Sequence, residues 1–169
     1  MTISLKMKHH LFMFSALFLL WTLLTGSIAP AELMTGLLVA VVVSLVSAPY
    51  LSILNGIKYQ PMALLSVASY LGYFFLALVR ANFDLARRVL SPSLPINPAV
   101  IEVETQLNSE LGRILLANSI TLTPGTLSVD LMQNKILVHW VAAPEGVDLE
   151  QATAEIISGF EKHISGFLE

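Results

Sequence analysis

The sequence has no cysteine. That excludes a disulfide scaffold, a thiolate nucleophile and the cysteine-based zinc and iron–sulfur sites. Charge is scarce too. Only 12% of the 169 residues are Asp, Glu, Lys or Arg, half of the roughly 25% usual in a soluble domain. With 55% hydrophobic residues and a mean hydropathy of +0.73, the composition argues against a water-soluble monomer. GxSxG, Walker A, HExxH and glycine-rich dinucleotide patterns are all missing. No known catalytic or cofactor-binding motif is therefore present. Internal repeats and low-complexity tracts are absent as well.

What is present divides in two. Residues 1–90 carry six basic side chains (Lys6, Lys8, Lys58, Arg80, Arg87, Arg88) and two acidic ones (Glu32, Asp84). Residues 91–169 carry three basic and ten acidic residues. A basic apolar half followed by an acidic half implies a membrane part and an aqueous part. The acidic half argues against a nucleic-acid partner, which needs a basic footprint.

Three uncharged runs lie in the first half: Leu11–Ile28, Leu33–Leu54 and Met62–Val79, of 18, 22 and 18 residues. Crossing the hydrocarbon core takes about 20 apolar residues, with a range of about 17–25. Pro49 should kink the second run or end it early. A cleaved signal peptide would explain the first run, with Ser27-Ile28-Ala29 as its small-x-small site. Pro30 after the cut and the next apolar run at Leu33 favour a helical hairpin instead.

The third segment admits two readings. Ser66, Tyr70, Tyr73, Ala77, Arg80, Asp84 and Arg87 recur at spacings 4, 3, 4, 3, 4, 3, one stripe of a helix more polar than the rest. Such a helix can lie in the membrane interface, or span it and show the stripe to a partner helix. If all three runs span, basic residues split three against three. If only two span, all six fall on one side, as cytoplasmic flanks should. The uncharged run favours a membrane helix ending in the cytoplasm through an Arg-rich amphipathic tail.

Beyond Ser91–Pro98, which holds three prolines in eight residues and reads as a stiff linker, the periodicity changes. Ile101, Val103, Thr105 and Leu107 alternate with polar residues, as in a half-buried strand. Ser109–Asn118 reads as a short helix capped by Ser109 or Asn108. Pro124-Gly125 marks a turn. Leu127–Met132 and Ile136–Val141 read as strands joined through Gln133-Asn134-Lys135. Asp148 opens one final helix, with Gln151 three residues on as a capping-box variant. The expected fold is a membrane protein: an N-terminal helical hairpin, a third membrane or amphipathic helix, then a small β-α-β-β-α domain. Its parts are residues 1–90 (helices near 11–28, 33–54 and 62–90), a linker at 91–98 and an α+β domain at 99–169.

None of the three apolar runs contains an ionisable residue, whereas a chain that moves ions itself usually has some deep in its helices. His9 and His10 flank the first run, either as an interfacial polar pair or as a metal clip or pH sensor. His139 sits in a strand beside Trp140, either satisfied locally or facing a partner. Thr121, Thr123 and Thr126 crowd around Pro124-Gly125. They brace the turn through backbone hydrogen bonds, dock a neighbouring subunit, or offer oxygens to a cation.

The run Ala117-Asn-Ser-Ile-Thr-Leu-Thr-Pro-Gly-Thr126, followed by Val138-His139, resembles the E-type subunit of the multisubunit Mrp/Mnh cation/proton antiporters. So does Arg80-Ala-Asn-Phe-Asp84 closing an apolar helix before Ser91-Pro92. Trp21 and Gly36-Leu-Leu in an apolar hairpin fit as well. The resemblance runs from about Leu11 to Phe160. It implies an accessory, non-catalytic subunit of a sodium/proton antiporter in the bacterial inner membrane. Larger subunits related to respiratory complex I would carry the ion paths. Partners would be those subunits and the lipid bilayer, and the C-terminal domain would be cytoplasmic. Arg80, Asn82, Asp84, Thr121, Thr123, Pro124, Gly125, Thr126 and His139 become candidate subunit-interface or structural residues. The alternative is a free-standing membrane-anchored regulatory or ligand-sensing module.

Overall fold

The computed structural model describes residues 2–169. Met1 and the side chains of residues 2–6, Lys6 among them, lie outside the described residues. The chain divides between Asn55 and Gly56 into two compact units.

The first unit is a helical hairpin. Helix α1 (Thr2–Thr25) stops where Gly26 takes a φ of +60°, the left-handed turn that suits glycine after a helix. Helix α2 (Pro30–Val46) starts on proline, whose missing N–H costs nothing in the first turn. Gly36, Ala40 and Ser44 recur every four residues and are the buried positions of α2. Small side chains at this spacing let two helices approach closely. Trp21 lies over Gly36 so tightly that a Cβ there would enter its ring, and its indole N–H donates to the Glu32 carbonyl at 3.1 Å. As expected from Pro49, α2 ends early. It bends by 83° into a 3-10 segment, Ala48–Leu54.

The second unit begins with a long helix, α3 (Pro61–Leu90), followed by β1 (Ala99–Glu104), α4 (Glu110–Leu122), β2 (Thr126–Met132) and β3 (Lys135–Trp140). Two short helices close it, α5 (Leu149–Ile156) and α6 (Ser158–Ile164). The strands form one antiparallel sheet in the order β1-β3-β2. One sheet face carries Val103, Ile136 and Val138 into a core with Leu116, Ile120, Ile157, Phe160 and Ile164. The helices α4 and α5 pack on the strands, α6 packs beside them, and α3 lies on α6.

Ser109 accepts from the Gly112 N–H and Asp148 from that of Gln151, so both caps form. Four details depart from the expected elements. Strand β1 ends at Glu104, so Thr105 and Leu107 lie beyond it. Helix α4 runs four residues past Asn118, so Ser119–Leu122 is helix rather than turn. The final helix is two helices, broken at Ile157. There the Ser158 hydroxyl donates to the Ala154 carbonyl, a local bond that competes with the helical ladder. The β2–β3 turn holds only Gln133 and Asn134, with Gln133 at a φ of +49°.

Among the described residues, α1 (from Met7) and α3 are long and apolar enough to cross a membrane, and the bent pair α2 with Ala48–Leu54 would make a third crossing.

Candidate functional site

The polar stripe of α3 meets the chain's own C-terminal elements. The Tyr70 hydroxyl and the Ser119 Oγ share a buried hydrogen bond at 2.7 Å. Ser119 also donates to the Leu115 carbonyl at 2.7 Å, so neither hydroxyl is left unpaired. Tyr73 packs edge-on against Phe160 and stacks on the His163 ring. Its hydroxyl fills the space that a Cβ on Gly159 would occupy. Ser69 Oγ and His163 Nδ1 share a hydrogen bond at 2.9 Å. Near the start of α3, residues 56–58 are tied to residues 167–169. Ile57 bridges Leu168, and the Lys58 N–H donates to the Phe167 carbonyl at 3.0 Å.

Toward the other end of α3, a cleft of about 100 Å³ opens between Asp84 and Arg88, the turn Pro124-Gly125, Trp140 and Glu155. Arg88 pairs with Asp84 at 2.6 Å, one helical turn away, and donates to the Pro95 carbonyl at 2.9 Å. Gly125 has a φ of +95°, and the Thr126 N–H donates to the Thr123 carbonyl at 3.2 Å. These fit a type II turn, where the residue after proline needs positive φ. The cleft is smaller than the roughly 300–1,000 Å³ of ordinary ligand pockets, and its Asp84 and Arg88 pair with each other. It is a corner where two distant sequence segments meet.

The three threonines all bond within this corner. Thr121 Oγ1 accepts from the Ser128 N–H at 3.1 Å. Thr123 donates to the Ser119 carbonyl at 2.8 Å, and Thr126 to the Ile120 carbonyl at 2.7 Å. The hydroxyls thus tie the end of α4 to the start of β2.

The remaining candidates lie apart from the cleft. Arg80 is exposed, and Asn82, also exposed, donates to the Leu78 carbonyl one turn back. His139 pairs in register with Val100 and Leu127, on the sheet face away from the core. On that face Lys135 bonds Glu102 and lies 3.7 Å from Glu104. The hydrogen bond and charge of Glu102 hold the Lys135 ammonium above its usual pKa. In the first unit His9 is buried, and His10 lies 3.5 Å from the Ser44 hydroxyl. No cluster of three or more His, Asp or Glu able to hold a metal occurs among the described residues.

Sequence reasoning missed Ser69 on α3, and it missed Ser119, Gly159 and His163 as partners of that helix. The stripe spacing pointed to Tyr70 and Tyr73 but gave no clue to what they touch.

The fold and this corner define a helix-rich protein with candidate membrane spans and a small three-stranded antiparallel sheet. A family described as "Na+/H+ ion antiporter subunit" (MNHE) matches residues 14–166, and the chain belongs to that family. A chain in the structure of "the membrane-bound sulfane sulfur reductase (MBS), an archaeal respiratory membrane complex" is 36% identical. The match covers 93% of this chain and 97% of that one, at a TM-score of 0.81. A chain in the structure of the Mrp complex from Dietzia sp. DQ12-45-1b is 29% identical, over 58% of this chain and 91% of that one, at a TM-score of 0.42. No curated protein matches.

Proposed function

We propose that the chain is an accessory, non-catalytic subunit of a multisubunit Na+/H+ antiporter in the bacterial cell membrane, supporting assembly or stability of the complex. The observation that carries this reading is the family membership together with the empty electrostatics of the apolar runs. None of Leu11–Ile28, Leu33–Leu54 and Met62–Val79 holds Asp, Glu, Lys, Arg or His. A proton or cation path needs such groups within the membrane, so the path belongs to other subunits. Residues 99–169 are assigned to the cytoplasm, because Arg80, Arg87 and Arg88 precede them. The candidate residues around the cleft serve as structural or subunit-contact positions, and no cofactor takes part.

The test is purification of the tagged chain in mild detergent, with identification of the co-purifying chains and antiport measured in vesicles. Large antiporter-like subunits should co-purify, and deleting this chain should weaken antiport by loss of the complex. Sodium/proton exchange by the chain alone would overturn the accessory role. The 97% coverage of the respiratory-complex chain favours a second reading, a subunit of a respiratory membrane complex. Co-purifying redox-cofactor proteins would select it.

A further inference from the structure

We infer that α3 does not cross the bilayer but lies flat in its surface, with an anionic lipid leaflet as the occupant of its bare face. The inference rests on the membrane location in the reading above, and not on any partner subunit.

Two faces of α3 carry the argument. The inner face holds Ser66, Tyr70, Tyr73 and Ala77, and the second unit covers it. These positions fall inside the uncharged run Met62–Val79, where a span would have its middle. The helix pressed against them is α6, which carries Glu161, Lys162 and His163. Glu161 there accepts from the Thr105 hydroxyl and the Gln106 N–H, both at 2.6 Å. Placing α3 across the bilayer would drag this charged helix and its hydrogen-bonded sheet edge into hydrocarbon. Charged groups resist that transfer strongly.

The outer face is the complement. Leu64, Leu65, Leu71, Phe75, Leu76 and Phe83 stand away from the domain and are exposed, Leu64 and Phe83 each at 74%. At 100° per residue they occupy one continuous arc opposite Tyr70. Arg80 and Arg87, both exposed, fall on one border of that arc. There their long stems can follow the apolar surface while the guanidinium groups meet lipid phosphates. An apolar face with cationic residues along its edge and a polar opposite face is the pattern of a helix lying in the interface. Here the polar face from Ser66 to Ala77 is covered by a folded domain instead of water, and its continuation through Asp84 stays exposed. Only six residues, Asn55–Gln60, separate α3 from the preceding apolar segment, so the chain reaches the leaflet directly. With two crossings instead of three, all six basic residues of the first half also fall on one side of the membrane.

The absence of native cysteine allows a clean test. Single cysteines at 64, 71, 75, 76 and 83 carry a nitroxide in the full-length chain, reconstituted in vesicles of phosphatidylcholine and phosphatidylglycerol, 3:1. Immersion depth is read from the relative access of oxygen and a water-soluble nickel complex. A surface helix gives one shallow depth, about 5–10 Å below the headgroups, from Leu64 to Phe83. A span gives depths that change by about 1.5 Å per residue and pass through the midplane, which would overturn the proposal. Low access to both reagents would also overturn it, because the face would then be closed by protein. Cysteines at the small, exposed positions Ala68 and Ala86 repeat the reading should a bulky site perturb folding. Replacing Arg80 and Arg87 by Glu should make α3 shallower in the anionic vesicles and leave it unchanged in pure phosphatidylcholine. None of these readings depends on which complex the chain joins.

Discussion

Helices α1 and α3 both have the length and composition of a membrane span, yet their surfaces are built differently. The hairpin of α1 and α2 closes on small residues, Gly36, Ala40 and Ser44, and leaves apolar side chains elsewhere. In α3 one face is bonded to the sheet-bearing part of the chain through Tyr70, Tyr73 and Ser69, and only the opposite face is bare. Counting apolar residues treats the two alike, because the count does not ask what each face touches. A single polar stripe, if matched by a folded partner, changes what an apolar helix can do.

The comparison breaks most sharply at Tyr70. Its ring is buried in the core of the second unit, and its hydroxyl is paired with Ser119. Tyr70→Ala should cost about 3–5 kcal/mol, as removal of a buried aromatic ring does elsewhere. Tyr70→Phe should cost about 1–3 kcal/mol, because it leaves the Ser119 oxygen with one partner fewer. Thermal unfolding of the detergent-solubilised chain, followed by near-ultraviolet circular dichroism, measures both. Equal melting temperatures for wild type and Tyr70→Ala would show that α3 is not held by its stripe.

In the hairpin, Gly36 is the corresponding point. A side chain there meets the Trp21 ring, so Gly36→Leu should destabilise the hairpin by about 1–3 kcal/mol through overpacking. Trp21 and Trp140 are the two tryptophans. In a Trp140→Phe background, the Trp21 emission maximum should shift in Gly36→Leu. An unshifted maximum would mean that the ring does not rest on α2.

Much of this arrangement was legible in the sequence, and the rest was not, for identifiable reasons. The first part of the stripe, Ser66 to Ala77, marked the face of α3 that is covered, because helical period alone decides which residues share a side; Arg80, Asp84 and Arg87 further along it stay exposed. Period says nothing of the covering partner, and Ser119 and His163 lie 49 and 94 residues from their partners on α3. Pro49 announced the end of α2, since a missing N–H is a local fact. The break at Ile157 was hidden, because no proline stands there, the glycine at 159 falls inside the next helix, and a serine bond to the i−4 carbonyl is only one option for that side chain. The hydroxyl-rich run misled in a different way. Its first four residues belong to α4, where the helix carries Ser119 inward to Tyr70, and its threonines bond backbone on both sides of the turn.

The corner beside Asp84 and Arg88 tests whether the turn is local scaffolding. Gly125 stands at a φ of +95° with open space where a Cβ would go, so the obstacle to Gly125→Val is the backbone conformation rather than a clash. The strain should be about 1–3 kcal/mol. It should be visible as a lower melting temperature of the purified chain. Replacing Thr121, Thr123 and Thr126 together by Val separates two roles of the same residues. Bracing predicts a lower melting temperature of the chain alone. Docking predicts an unchanged chain and a complex that dissociates in detergent.

The smallest effect on folding, and the sharpest contrast with Gly36, should come from Gly72. Both glycines sit inside helices of apolar character. At Gly72, however, an added Cβ meets nothing within 4 Å, because the position lies on the bare arc of α3 between Leu65 and Phe83. Gly72→Leu removes a poor helix former, a change favourable by about 0.8–1.0 kcal/mol in an exposed helix, and it displaces no neighbour. The melting temperature in detergent should therefore stay level or rise. A leucine on a face immersed in lipid also adds apolar area, so the chain should resist alkaline carbonate extraction from membranes at least as well as wild type. If Gly72→Leu instead lowered the melting temperature as Gly36→Leu does, the bare arc would be a packed protein interface, and the difference between the two helices would disappear.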